Sequence, residues 1–181
     1  MIVALTFFSC QSGEKNVEAE NPFLEPIPPS GEDFYLNVTK SSGINFKHSI
    51  GDDHLTNIIE SVGGGAAFLD FDQDGYMDLY MANGCYHDRL SDQEYEPTEN
   101  LTNHLFKNNG DGTFQDVTKK AGVGHEGFGM GVTVGDYNND GFPDIYVSNH
   151  GPNVLYRNDG DGTFTDISKK AGLDGDESSV G

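Results

Sequence analysis

Apolar residues along this chain come in short runs, each bounded by Gly, Asp or Asn. Ala66-Ala-Phe-Leu69, Leu79-Tyr-Met81, Val132-Thr-Val134 and Ile145-Tyr-Val147 are rich in β-branched and aromatic side chains. That composition and length predict strands. Ile145-Tyr-Val147 is apolar on both faces, as a strand sandwiched between neighbouring layers would be. No stretch keeps the period of a long amphipathic helix and Trp is absent, which argues against a helical bundle.

The strands belong to a repeat. Leu105-Phe-Lys-Asn-Asn-Gly-Asp-Gly-Thr-Phe114 returns 50 residues later as Leu155-Tyr-Arg-Asn-Asp-Gly-Asp-Gly-Thr-Phe164, and the likeness continues to Val123 and Leu173. Two acidic loops upstream of these segments are offset by 66 instead, because the first unit carries 16 extra residues between Asn83 and Asn103. That insertion, Gly84 to Thr102, is polar and holds Cys85, Tyr86, His87 and Asp88. Each unit divides into four strands: one before the acidic loop, one after it, a third through Leu155-Tyr-Arg157 and a fourth from Thr163 to Ile167. Asn-Gly and Asp-Gly dipeptides supply the hairpin turn between the last two. Four strands in roughly 45–50 residues make one propeller blade. The expected class is therefore all-β, with antiparallel four-stranded blades at about 63–120 and 129–173 inside a repeat region spanning 34–181.

A partial third copy precedes them. Asn37-Val-Thr-Lys-Ser-Ser-Gly-Ile44 aligns with Asp116-Val-Thr-Lys-Lys-Ala-Gly-Val123. It reads as an orphan fourth strand, Phe34–Thr39, that closes a ring by completing its last blade. Counting 50 from Gly131 reaches Gly181, the final residue. Closing a ring takes roughly 4–8 blades, so the expectation is an incomplete ring, the N-terminal piece of a longer protein.

Charge adds to this picture. The formal charge is −20, from 30 acidic and 10 basic side chains. Such a field repels nucleic acid and anionic membrane surfaces. The 24 glycines among 181 residues suit a turn-dense β protein. Seven of the acids fall in the two loops, Asp70-Phe-Asp72-Gln-Asp74-Gly75-Tyr76-Met-Asp78 and Asp136-Tyr-Asn138-Asn-Asp140-Gly141-Phe142-Pro-Asp144. Oxygen side chains stand at loop positions 1, 3, 5 and 9, and Gly at 6 permits a sharp turn. The backbone carbonyl at position 7, Tyr76 or Phe142, adds a further ligand. An all-oxygen set with no His or Cys points away from zinc and copper. A flexible loop with five or more oxygens suits Ca²⁺ better than Mg²⁺, which retains more water. Two calcium sites are expected. The bland reading is a pair of acidic surface turns, since Asp, Asn and Gly favour turns anyway; repetition with the same spacing weakens it. An EF-hand shares positions 1, 3, 5 and 6 but needs an acid at position 12, where this chain has Met81 and Val147, and it needs flanking helices.

Taken together, these residues resemble the FG-GAP/VCBS-type repeat family of integrin-α-like propellers, and within it the cartilage acidic protein and ASPIC/UnbV-associated group. The resemblance rests on Gly63-Gly-Gly-Ala-Ala-Phe-Leu-Asp70, Gly129-Met-Gly131, the two acidic loops and the paired Asn-Gly-Asp-Gly-Thr-Phe and Asp-Gly-Asp-Gly-Thr-Phe turns, and covers about residues 34–181. It implies a propeller of about seven blades, structural calcium in the blade loops, and adhesion or ligand binding outside the cell. It places metal ligands on Asp70, Asp72, Asp74, Tyr76 (carbonyl) and Asp78, then on Asp136, Asn138, Asp140, Phe142 (carbonyl) and Asp144. The later blades and C-terminal domain typical of the group have no counterpart in this chain.

Residues 1–10 form a short apolar run ending in Ser9-Cys10. The run resembles the end of a bacterial lipoprotein signal peptide, with Cys10 as lipid attachment site and 11–33 as a flexible tether rich in Glu, Asn, Ser and Pro. No Lys or Arg precedes it, and Phe7 stands where Leu is usual. Plain secretion and an incidental apolar run remain open. It is too short to span a bilayer. The localisation expected is extracellular, on the cell surface or outer membrane through that lipid, with secretion as the alternative. With Cys10 lipidated, Cys85 is left as an ordinary loop thiol.

Catalysis finds little support. His48, His54 and Glu60 share a segment, but their spacing matches no helical zinc motif. His87, His104, His125 and His150 stand in or beside loops, and no activated nucleophile motif is present. The chain is read as a non-enzymatic binding or adhesion module for an extracellular protein or glycan. The alternatives are the propeller part of a polysaccharide-acting enzyme or glycan-uptake component, and a purely structural scaffold.

Overall fold

The computed structural model describes residues 36–50, 58–85, 101–173 and 175. The proposed leader ending at Cys10, the 11–33 tether and the greater part of the 84–102 insertion lie outside the described residues. After a 3-10 turn at Glu60–Val62 come β1 (Ala66–Leu69), β2 (Asp78–Met81), β3 (His104–Asn108) and β4 (Phe114–Asp116). A single helical turn α1 (Thr118–Ala121) follows, then β5 (Phe128–Gly135), β6 (Asp144–His150), β7 (Val154–Asn158) and β8 (Phe164–Asp166). They form two four-stranded sheets, in order β1-β2-β3-β4 and β5-β6-β7-β8. Every pairing is antiparallel. The expected all-β architecture of four-stranded blades is thus observed, and strands rather than helices flank both acidic loops.

The second hairpin of each blade follows from its turn residues. Asn109 N–H bonds the Thr113 carbonyl at 2.9 Å, and Asp159 N–H bonds that of Thr163 at 3.0 Å. Gly110, Gly112, Gly160 and Gly162 take the positive φ that these turns require. β5 is longer than Val132–Val134 because pairing with β6 extends back to Phe128 across a bulge between Gly129 and Gly131.

The first sheet is packed on both faces. Tyr80 of β2 points into a cluster shared by the blades: Leu69, Phe71 and Leu105 meet Ile145, Val147, Val154, Tyr156 and Phe164. Its neighbours Leu79 and Met81 point the other way, onto Ile44 and Phe106. Period-2 alternation therefore divides one strand between two cores. Tyr80 is fully buried, and its hydroxyl donates to the Val123 carbonyl at 3.0 Å. Backbone bonds tie blade to blade: Gly64 N–H to the Gly129 carbonyl at 3.1 Å, and Gly129 N–H to that of Asn83 at 3.0 Å.

The partial third copy is described only from Leu36 onward. Phe34 and Tyr35, which begin the expected closing strand Phe34–Thr39, lie outside the described residues, and Leu36–Thr39 forms no strand. What it repeats is the turn that follows a fourth strand. Ser42 N–H bonds the Val38 carbonyl as Ala121 bonds Val117 and Ala171 bonds Ile167, at 2.8, 2.8 and 2.9 Å. Asn37 Oδ1 accepts from Thr39 N–H as Asp116 accepts from Thr118 and Asp166 from Ser168. Gly43, Gly122 and Gly172 end the three turns at φ of 74°, 77° and 74°. Phe114 N–H bonds the Ser42 carbonyl at 2.7 Å. Residues 37–44 thus lie against the first blade as 116–123 lie against the second. Among the described residues, no third strand stands beside Leu36–Thr39 to pair with it, so the segment has no ladder.

Close approach of the inner strands explains one glycine. A Cβ on Gly65 would lie 2.7 Å from both Gly131 Cα and Val132 N, whereas one on Gly135 would meet nothing within 4 Å. Gly65→Ala is expected to destabilise the chain by about 1–3 kcal/mol through overpacking. Gly135→Ala should be close to neutral, and urea denaturation of the two variants measures the contrast.

Candidate metal centre

The two acidic loops close the β1–β2 and β5–β6 hairpins with the same bonds. At position 1, Asp70 accepts Asp74 N–H and Gly75 N–H, both at 3.0 Å. Asp136 accepts Asp140 N–H at 3.1 Å and Gly141 N–H at 2.8 Å. At position 5, Asp74 and Asp140 accept the N–H of Tyr76 and Phe142, each at 2.9 Å. At position 9, Asp78 accepts Phe71 N–H at 3.1 Å and Asn108 N–H at 2.8 Å. Asp144 does the same with Tyr137 at 3.0 Å and Asn158 at 2.8 Å. Gly75 and Gly141 hold φ of 89° and 93°, and the preceding turn places Gln73 and Asn139 in the left-handed region too.

In the first loop, ligand oxygens of Asp70, Asp72 and Asp78 lie within 4.8 Å of one another. Two oxygens on one calcium stand no further apart than twice the metal–oxygen distance, about 4.6–5.2 Å, so the spacing fits that ion. Asp72 Oδ1 is buried with no hydrogen-bond partner, which leaves a lone pair free for a cation. The donor set is hard oxygen throughout, as calcium requires.

Asp74 does not join that group of three. It pairs with Lys107, whose Nζ lies 2.5 Å from Asp74 Oδ2 and also bonds Asp72 Oδ2. Tyr76 and Phe142 enter the loops through their backbone N–H groups. Their rings cover the β3–β4 and β7–β8 turns, where a Cβ on Gly110 would lie 2.6 Å from Tyr76 and one on Gly160 2.9 Å from Phe142. In the second loop Asn138 replaces a carboxylate and its amide donates to Asp140 Oδ2 at 2.7 Å.

Sequence reasoning missed Lys107 and the asparagines Asn108 and Asn158. Lys107 and Arg157 share a repeat position in a chain with only 10 basic residues, and that was the available signal. Asn158 Nδ2 reaches across the blades to the Phe71 carbonyl at 2.8 Å.

Three histidines have described side-chain neighbours. His48 lies over Gly64, and His125 folds over Gly127. His104 Nδ1 pairs with Asp116 Oδ2 at 2.8 Å, stacked on Phe106 and edge-on to Phe46. His54 and His87 lie outside the described residues. Among the described residues, no histidine joins a group of three side chains able to hold a metal.

A family model for the FG-GAP-like repeat matches residues 70–147 and 136–180. Human cartilage acidic protein 1 is 48% identical over 58 residues, 30% of this chain and 9% of that protein. The Xenopus tropicalis cartilage acidic protein 1 is 46% identical over 57 residues, again 30% of this chain and 9% of the relative. The chain thus matches only 9% of the length of either relative.

Burial pushes the Asp78 carboxyl up to about 6 from its ordinary 3.8, against the pull of the Asn108 and Phe71 N–H groups. Between those pH values the folded, metal-free chain keeps a proton that the unfolded chain has released. This group's contribution to stability therefore falls as pH rises from about 4 to about 6. Denaturation midpoints without metal should show that slope, and Asp78→Asn should remove it.

Proposed function

This chain belongs to the FG-GAP-like repeat family, and from that premise we propose that it is a calcium-binding, extracellular β-propeller module for binding or adhesion. The observation that carries the reading is the shared centre of Asp70, Asp72 and Asp78 beside the unpartnered Asp72 Oδ1. The same bonds at positions 1, 5 and 9 of the second loop support a second site at Asp136, Asn138, Asp140, Phe142 (carbonyl) and Asp144. Bound calcium supplies the positive charge that these neighbouring carboxylates lack.

The chain's own residues do the positioning. Loop N–H groups fix the carboxylates of positions 1, 5 and 9, so few rotamers are lost when an ion enters. The Asn108 and Asn158 N–H groups tie position 9 to the third strand of each blade. Metal binding therefore stabilises the hairpin pairs that build the blades, and the proposed role is structural rather than catalytic. The ligand in this reading is an extracellular protein or glycan, met by loops at a blade face. Cys10, lipidated, tethers the module to the surface.

Isothermal titration of the metal-free chain with calcium should reveal two sites. Asp72→Ala should weaken the first and leave the second unchanged, and a titration with no binding at either would sink the reading. At a calcium concentration of 100 times Kd, each site should add about 2.7 kcal/mol of stability. A glycan and matrix-protein array probed with and without EGTA tests the binding role, with calcium-dependent capture as the expected result.

A further inference from the structure

The two loops differ in charge. The first holds four carboxylates, whereas the second holds three and Asn138. The basic side chains at the shared repeat position also behave differently. Lys107 Nζ bonds Asp72 Oδ2 and lies 2.5 Å from Asp74 Oδ2. Its ammonium also stands 5.8 Å from the centre of the Phe71 ring, within reach of a cation–π attraction. Arg157 turns away and bonds Asp159 of its own hairpin turn, through Nε at 3.1 Å and Nη2 at 2.6 Å.

We propose that Lys107 is a built-in counter-cation of the first loop, which offsets its additional carboxylate and sets its divalent-cation affinity. With the ammonium included, the first loop presents a net charge of −3, equal to that of the second. Asp72 divides its oxygens: Oδ2 faces the ammonium, and Oδ1 is left for the metal. Lys107 weakens calcium binding there by charge repulsion and by its hold on Asp74. In the absence of metal, it keeps the loop carboxylates from repelling one another. The inference rests on the calcium reading above, and the test separates the two.

The test is a calcium titration of the full chain followed by NMR, reading the Gly75 and Gly141 amides as reporters of the two loops. Lys107→Met should tighten the Gly75 response about tenfold, the size expected for removing one unit charge about 6 Å from a divalent ion at the dielectric of water. The Gly141 response should stay the same. Lys107→Arg, which keeps the charge, should retain the wild-type affinity, and Arg157→Met should change neither response. A Gly75 response that is unchanged or weaker in Lys107→Met would overturn the role of Lys107 while leaving the calcium sites intact. A response that appears only in Lys107→Met would support it in its strongest form. No response in any variant would remove the calcium reading and this inference with it.

Discussion

One buried carboxylate holds each blade in register. Asp78 and Asp144 are 0% and 1% exposed, and each gives one oxygen to the loop entrance and the other to the third strand. A buried carboxylate is costly unless both oxygens are satisfied. Here the donors are neutral backbone N–H groups fixed by the sheet itself. Loop, second strand and third strand therefore meet at one side chain. Moving any of them leaves a buried charge short of a donor.

The same residues join the blades. Asn158 N–H bonds Asp144, while its side chain bonds the Phe71 carbonyl in the neighbouring blade. Phe71 N–H in turn bonds Asp78. A short chain of hydrogen bonds thus runs from one acidic loop to the other. A second tie crosses above it, from Gln73 Nε2 to the Gly141 carbonyl at 2.7 Å. Gln73 is held at a φ of 58°, a conformation uncommon for a residue with a side chain. Hydrogen bonds thus tie the two loops to each other across the blades.

Much of this could be read from the chain. Short β-branched and aromatic runs bounded by Gly, Asp or Asn located the strands, and the Gly-Asp-Gly turns located the hairpins, because both depend on local backbone preferences. The repeat offsets located the blades. The closing strand expected at Phe34–Thr39 shows no ladder over Leu36–Thr39, because the likeness of 37–44 to 116–123 begins at the end of a strand and runs on into the turn after it. Strand identity depends on a partner, which an alignment of single segments does not reveal. Lys107 was missed for a related reason. Its carboxylate partners stand more than 30 residues earlier in the chain, and only the β2–β3 pairing brings them together. Asn158 could not be assigned a role, since its acceptor belongs to the other blade.

The acidity of the chain has two origins, and geometry separates them. Asp111, Asp161 and Asp166 each bond the N–H and hydroxyl of the Thr or Ser two residues on. These are turn-forming carboxylates, spread along the outer hairpins, and the Thr113 bonds hold the Asp111 carboxyl below its usual range. Local N–H and hydroxyl donors satisfy their oxygens within the turn itself. Asp70, Asp72 and Asp78 converge instead on one point, where backbone donors satisfy Asp70 and Asp78 but leave Asp72 with an unpartnered oxygen. Net charge alone does not distinguish these groups. Among the described residues, Asp72 Oδ1 is the one carboxylate oxygen buried without a donor, and it lies within the one group of converging carboxylates found there.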